Sequence, residues 1–322
     1  MSETPSIYEY ICAHVVDGAL PVDFNLDTFD NGTGGTNMAD GALDGISIYH
    51  RGRTELPGDV RPAMEKAVDT ACAGDFAAAD ELLASYAKQY RAISLIDELQ
   101  NSVLERVDNI DADALEAYVK HLLFETTDKE LAKFGLILQE AFVEPEDDVK
   151  EVVRKFGLSD EFTVFALWNM LRWSNANDEV FALAKKVHGW GRVHAVERLE
   201  PANEDIRAWL VADGLDNDVH PSYTALACFI NGDVADRLET DIDHDEFANI
   251  TKIIYALVDE GPASGIASLG NPDGVLKLYC EQAAKQHLDA EDCNCIQLIR
   301  DYAESKYWDE IVGLCDDLLP AE

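Results

Sequence analysis

Positive charge is what this sequence has least of: 25 Lys and Arg stand against 63 Asp and Glu in 322 residues, a formal net charge of −38. Such an excess repels phosphate backbones at long range, which sets nucleic acid and anionic membrane surfaces aside as partners. No run approaches the ~20 apolar residues of a membrane helix. The opening Met1-Ser2-Glu3 has neither the basic start nor the apolar stretch of a secretory signal. Cysteine is irregular and odd in number, seven in all, with only Cys293 and Cys295 close together in Cys-Asn-Cys. A disulfide framework is therefore not expected, and reduced thiols in a cytoplasm fit this usage.

Motifs that would carry chemistry are missing too. There is no Gly-x-Ser-x-Gly elbow, no His-Glu-x-x-His, and no Gly-Lys-Ser/Thr after Gly32-Thr33-Gly34-Gly35. Asp241-Ile242-Asp243-His244-Asp245 starts like a calcium loop, but Glu246 stands where glycine is needed and Lys252 where glutamate is needed. His194 and Glu197 have the spacing of one metal-ligand pair, without the second pair of a two-metal bundle. No metal and no cofactor are expected, and no residue is assigned as catalytic.

What is present is helix. The apolar fraction, 47%, supports a sizeable core. Ile7 to Val16 fits a short amphipathic helix ending at Asp17-Gly18, and residues 27–45 read as loop. Alternation in Gly45-Ile46-Ser47-Ile48-Tyr49-His50 predicts one short strand, closed by Arg51-Gly52-Arg53. From Pro57 onward apolar residues recur at helical spacing: Leu115, Val119 and Leu122; Leu131, Phe134, Leu138 and Phe142; Val180, Ala184 and Val187; Phe247, Ile250 and Ile254. Thr127 with Glu130 suggests a capping box, Pro145 and Pro221 first helical positions, and Gly74, Gly157, Gly214, Gly232 and Gly261 left-handed stops. Breaks fall every three to four turns, so two helices and their turns make units of roughly 30–40 residues.

That layout over residues 57–322 resembles the HEAT and armadillo class of α-solenoids in its helix lengths. The resemblance implies an all-α, helical-repeat (HEAT-like) α-solenoid with a short irregular N-terminal segment. The expected division is 1–56, a helix plus Gly-rich loop, and 57–322, the repeat domain. Ligands of that class usually lie on the concave face.

Charge is unevenly placed. Residues 1–149 hold 10 Lys/Arg against 30 Asp/Glu and residues 199–322 hold 7 against 27, while residues 150–198 hold 8 against 6. Four of the five tryptophans, Trp168, Trp173, Trp190 and Trp209, fall in or just beyond this slightly basic middle. Its densest block is His188-Gly189-Trp190-Gly191-Arg192-Val193-His194-Ala195-Val196-Glu197-Arg198-Leu199. In a helix, His194, Glu197 and Arg198 share one face. The glycines leave N–H groups open at the helix start, where a carboxylate or phosphate can be received beside Arg192. Asn169, Arg172 and Trp173 sit on the preceding helix, where Arg172 can stack on an aromatic ring or pair with Glu197. The other reading of the block is a polar network fixing a sharp turn, with Trp190 as a wedge in the core. Trp209 and Asp213 are similar in residue type to the aromatic and aspartate of HEAT-like alkylbase DNA glycosylases, but no Lys/Arg stripe accompanies them.

The expectation is a cytoplasmic, non-catalytic binding or scaffold protein that takes a protein or a small anionic ligand at the solenoid's centre. The candidate ligand-binding residues are Asn169, Arg172, Trp173, His188, Trp190, Arg192, His194, Glu197, Arg198 and Trp209. The alternative is a hydrolase-like enzyme with a pocket at 188–198, using His188 or His194 as acid/base, Glu197 to orient it and Arg192 or Arg198 to hold an anionic group. A third reading has the acidic flanks meet a basic protein, with steep salt dependence.

Overall fold

The computed structural model describes residues 4–29, 38–52, 54–142 and 145–319. Among these there is no strand, and the chain forms two compact helical units, 1–195 and 196–322. No helix is long and apolar enough to cross a membrane among the described residues.

The first unit holds α1 (Ile7–His14), α2 (Ala42–His50), α3 (Val60–Cys72), α4 (Phe76–Tyr90), α5 (Ala92–Leu104), α6 (Ala112–Phe124), α7 (Lys129–Gln139), α8 (Asp147–Gly157), α9 (Thr163–Met170), α10 (Ala176–Ala184) and α11 (Gly189–Val196). Alternate helices pack side by side in the row α3–α5–α7–α9. The first helix packs against α6 and α8. Ser6 and Glu9 close its start with a reciprocal capping box, Ile7 and Ile11 are fully buried, and Tyr8 meets the Phe124 ring edge-on at 5.0 Å.

The second unit holds α12 (Glu204–Asp213), α13 (Ser222–Asn231), α14 (Val234–Leu238), α15 (His244–Val258), α16 (Pro272–Ala283), α17 (Ala290–Ser305) and α18 (Asp309–Leu318). It also packs every second helix together, α13–α15–α17 in one row and α14–α16–α18 in the other. Buried polar groups tie helices within and between the rows: Gln282 Nε2 of α16 donates to Leu238 O and Thr240 O, at the end of α14, at 2.7 and 2.6 Å. Thr251 Oγ1 bonds Tyr279 Oη at 2.9 Å and donates to Asp292 Oδ1 at 3.1 Å.

Several local expectations change. The strand expected at 45–50 is the body of α2. A lone strand leaves its backbone groups without a ladder, whereas a helix satisfies them internally. Gly45 faces inward because the Trp190 ring lies directly against it. The cap of α7 is Asp128, accepting from Glu130 N and Leu131 N at 2.8 and 3.2 Å, not Thr127. Glu130 turns away instead to accept from Ala92 N. Pro145 precedes the cap of α8, and Pro221 is itself the cap of α13. Of the five expected glycine stops only Gly74 is left-handed, with φ +87°. The stretch Asn31–Gly35 and Arg53 lie outside the described residues.

Candidate functional site

The 188–199 block begins α11, and its glycines are there for contact. Gly189 has φ +43°, and a Cβ on it would collide with the Asp160 carboxylate. A Cβ on Gly191 would lie 2.6 Å from Asp160 Oδ1. The helix start offered to an external anion therefore receives the chain's own Asp160, an arrangement the helix dipole favours.

The side chains that follow face the interior. Arg192 is 7% exposed and its Nη1 donates to the Ala184 carbonyl at the end of α10. His194 is 1% exposed, stacks on Tyr49 at 5.6 Å and shares a 3.3 Å hydrogen bond with its hydroxyl. Trp190 meets both rings, 5.9 Å from Tyr49 and 6.2 Å from His194. Tyr49 is thus the hub of an aromatic cluster joining α2 to α11; the strand expectation hid it.

The remaining candidates separate into local groups. Asn169 is buried and its Nδ2 donates to Leu136 O and Phe165 O, both at 2.9 Å, which ties α9 to α7. Trp173 is buried between two cations, Lys150 Nζ and the Arg154 guanidinium, each 5.4 Å from its ring. Arg172 is exposed and pairs with Glu140 at 3.5 Å. His188 is exposed and lines a cleft of about 200 Å³ with Asp40, Ser159 and Asp160. Glu197, Arg198 and Trp209 belong to the second unit, the first exposed and the other two half-buried.

Much of the basic middle is paired where it stands. Arg154 pairs with Glu179 at 2.7 Å, Lys155 with Glu151 at 3.2 Å, and Arg172 with Glu140. Lys185 lies over the Phe181 ring at 4.0 Å and is exposed, as are Lys186 and His188.

Sequence reasoning missed the densest charge cluster, which is buried. Lys133 is fully enclosed and its Nζ donates to Asp44 Oδ2, Glu161 Oε1 and Glu130 Oε1 at 2.6, 2.5 and 3.0 Å. Arg91 adds contacts of 3.1 Å to both Asp44 and Glu130. The spare carboxylate oxygens accept from backbone: Glu161 from Gly41 N at 2.7 Å, Glu130 from Ala92 N at 2.6 Å. Burial alone would lower the Lys133 pKa, yet the three carboxylates hold it above the ordinary lysine range. Burial raises Asp44 despite Lys133, while Lys133 and its cationic neighbours keep Glu130 and Glu161 low against the same burial.

Beside this cluster Asp40 accepts from Leu26 N at 2.9 Å. Burial, helped by the negative charge of Glu161, pushes it up to about 6 against the pull of Lys129. A raised folded-state pKa favours the protonated form, so this contribution is complete below the unfolded carboxylate value near 4 and is lost as pH rises through about 6. Asp40→Asn keeps an acceptor for Leu26 and removes the titration. Urea midpoints should show the variant more stable than the parent at pH 7.5, by up to about 2 kcal/mol, and equal to it near pH 4. An unchanged gap across that range would contradict the assignment.

Arg91 also faces outward onto a groove of about 1220 Å³ in the first unit. Its charged lining is Glu55, Asp97, Glu98 and Glu140 against Arg51 and Arg91. Carboxylates outnumber arginines four to two in this lining, although Arg91 is engaged by Asp44 and Glu130, Glu98 by Arg61 at 3.7 Å and Glu140 by Arg172. Trp168 of α9 lines it too, half-buried and set edge-on against Phe165 at 5.4 Å. Among the described residues no group of three or more His, Cys, Asp or Glu is placed to hold a metal ion. No protein-family model matches the chain, and no curated protein and no solved structure matches it.

Proposed function

We propose that the chain is a non-catalytic binding protein that takes a lysine- and arginine-rich protein segment into the groove of its first unit. The observation that carries this reading is the groove itself: four carboxylates, two arginines and an accessible indole line about 1220 Å³. Carboxylates supply long-range attraction and register, and the indole offers a face for a guanidinium or ammonium. The stacking of alternate helices in each unit supports the helical-repeat reading, with HEAT-like solenoids as its finer form. Seven cysteines with no disulfide between any of them support a reducing, cytoplasmic setting.

A small anionic ligand is less well served, since Asp160 fills the start of α11 and Arg192 points at a carbonyl. The hydrolase reading gains one observation, Ser159 and His188 on the same small cleft. Against it, Ser159 Oγ has no hydrogen-bond partner, so no base activates that hydroxyl.

The test is titration of a fluorescent Lys/Arg-rich peptide into the full chain at low salt, with an acidic peptide as control. Trp168→Ala should weaken binding about tenfold, and Asp97→Asn should lower the salt slope. Glu304→Gln, far from the groove in sequence and in the other unit, should change neither. Equal loss in all three variants, or tighter binding of the acidic peptide, would remove the proposal.

A further inference from the structure

We propose that Cys280 and Cys315 are an oxidation site: a small-molecule disulfide converts this thiol pair to an intramolecular disulfide that fastens α18 to α16. The two Sγ atoms stand 3.8 Å apart in the core of the second unit, with the residues 1% and 0% exposed. That is sulfur–sulfur contact, and closing to a bond of about 2.0 Å asks for a small approach from each side. A third thiol, Cys295 of α17, is equally buried but is turned to donate to the Thr251 carbonyl at 3.7 Å. Cys280 and Cys315 are therefore the pair with a mutual contact.

Access comes from the way α18 is held. Of its residues only Ile311 and Cys315 are buried, so little apolar area is lost when it lifts. A helix at the end of a unit with two inward anchors belongs to the low-stability end of local opening. Opening parts α18 from α16 and α17, breaking the 2.6 Å Arg300–Asp316 pair, and exposes both thiols while α15 stays in place.

Reactivity is asymmetric. The hydrogen bond with Cys280, and the Arg300 guanidinium, hold Cys315 below the usual thiol range against burial and Asp316. The same contact, together with burial, pushes Cys280 up. Cys315 also rides on the helix that lifts and so meets solvent first; it is the attacking thiolate, and Cys280, held on α16, is the resolving thiol. Cys315 Sγ attacks the small disulfide RSSR, forming Cys315–S–S–R and releasing RS⁻, which takes up the proton lost by Cys315. Cys280 then loses its proton to solvent as its sulfur attacks Cys315 Sγ and expels the second RS⁻, which is protonated in turn. Two protein thiols are oxidised by two electrons, and one RSSR is reduced to two RSH.

The experiment treats the full chain with bis(2-hydroxyethyl) disulfide, alkylates remaining thiols under denaturing conditions, and maps peptides without reduction. The expected result is loss of two of the seven alkylatable thiols and a linked peptide pair carrying Cys280 and Cys315. Brief proteolysis should release α18 from reduced protein but not from oxidised protein, and a dithiol should restore release. In Cys280→Ser the reaction should stall at the mixed disulfide on Cys315, while in Cys315→Ser Cys280 should stay reduced. The proposal is overturned if the half-buried Cys12, Cys72 and Cys293 become modified while Cys280 and Cys315 remain alkylatable. Cross-linking of Cys295 in place of either partner would overturn it too. The peptide map of the parent protein decides the matter even if a serine variant fails to fold.

Discussion

Replacing Lys133 with methionine is expected to destabilise the first unit by about 3–5 kcal/mol, the usual result of removing one partner from a buried charge cluster. The side chains are similar in length, so the loss is one of charge and not of volume. Lys133 is fully buried and satisfies Asp44, Glu130 and Glu161 together. Without it the three carboxylates are left with Arg91 and, near Glu161, Lys129, in a site largely closed to water. Each must then stay charged without adequate partners or take up a proton. In the parent, Glu130 and Glu161 have lowered pKa values, so their contribution is present above the unfolded value and fades as pH falls. In the variant the carboxylates are no longer held down. The gap between the two proteins should therefore narrow at pH 4.5, where protonation relieves the variant. Urea unfolding followed by helical circular dichroism at pH 7.5 and 4.5 measures both numbers. A loss below about 1 kcal/mol at neutral pH would mean that the cluster is hydrated and not closed.

The second large effect belongs to Trp190→Ala, expected to cost about 3–5 kcal/mol. Trp190 is 7% exposed and fills the space between Gly45 of α2 and the Tyr49–His194 stack. Removing the indole leaves a cavity that a backbone glycine cannot fill. The reverse substitution tests the same contact: Gly45→Ala places a methyl inside the ring's contact distance and should be destabilising although alanine is the better helix former. Thermal melts of both variants, with near-ultraviolet circular dichroism to follow the indole, give the readout. If Trp190→Ala melts with the parent, the side chain is not a core wedge and its place among binding residues regains weight.

Helices were legible wherever the apolar stripe was regular. Leu115, Val119 and Leu122 of α6 and Phe247, Ile250 and Ile254 of α15 are all buried as their spacing predicts. Breaks between helices were legible for the same reason. The ends were less so, because which of Thr127 and Asp128 caps α7 depends on where Glu130 can find a better partner, here Ala92 N. Tyr49 was misplaced because five alternating residues suit either period when no pairing strand is in view. The charge map misled more deeply. Part of the cationic stretch is neutralised where it lies, since Arg172 pairs with Glu140 and Arg154 with Glu179, and such pairing is decided only when helices meet. Lys133 did leave a trace. Every residue of 131–139 is buried, and Lys133 is the lone charge in that run. A solitary lysine in a helical stretch with no polar face signals carboxylates waiting elsewhere in the chain.

The bonds around Lys133 also set an order of events at synthesis. Asp44 must wait for a lysine 89 positions downstream, and Gly41 N for a glutamate 120 positions downstream. Arg91 and Lys133 can meet Asp44 sooner, but the cluster is complete only when residue 161 has emerged. Closure of the first unit is therefore a late, long-range step of the kind that slows folding. Nascent chains halted short of that glutamate should remain open to proteases along α1 and α2.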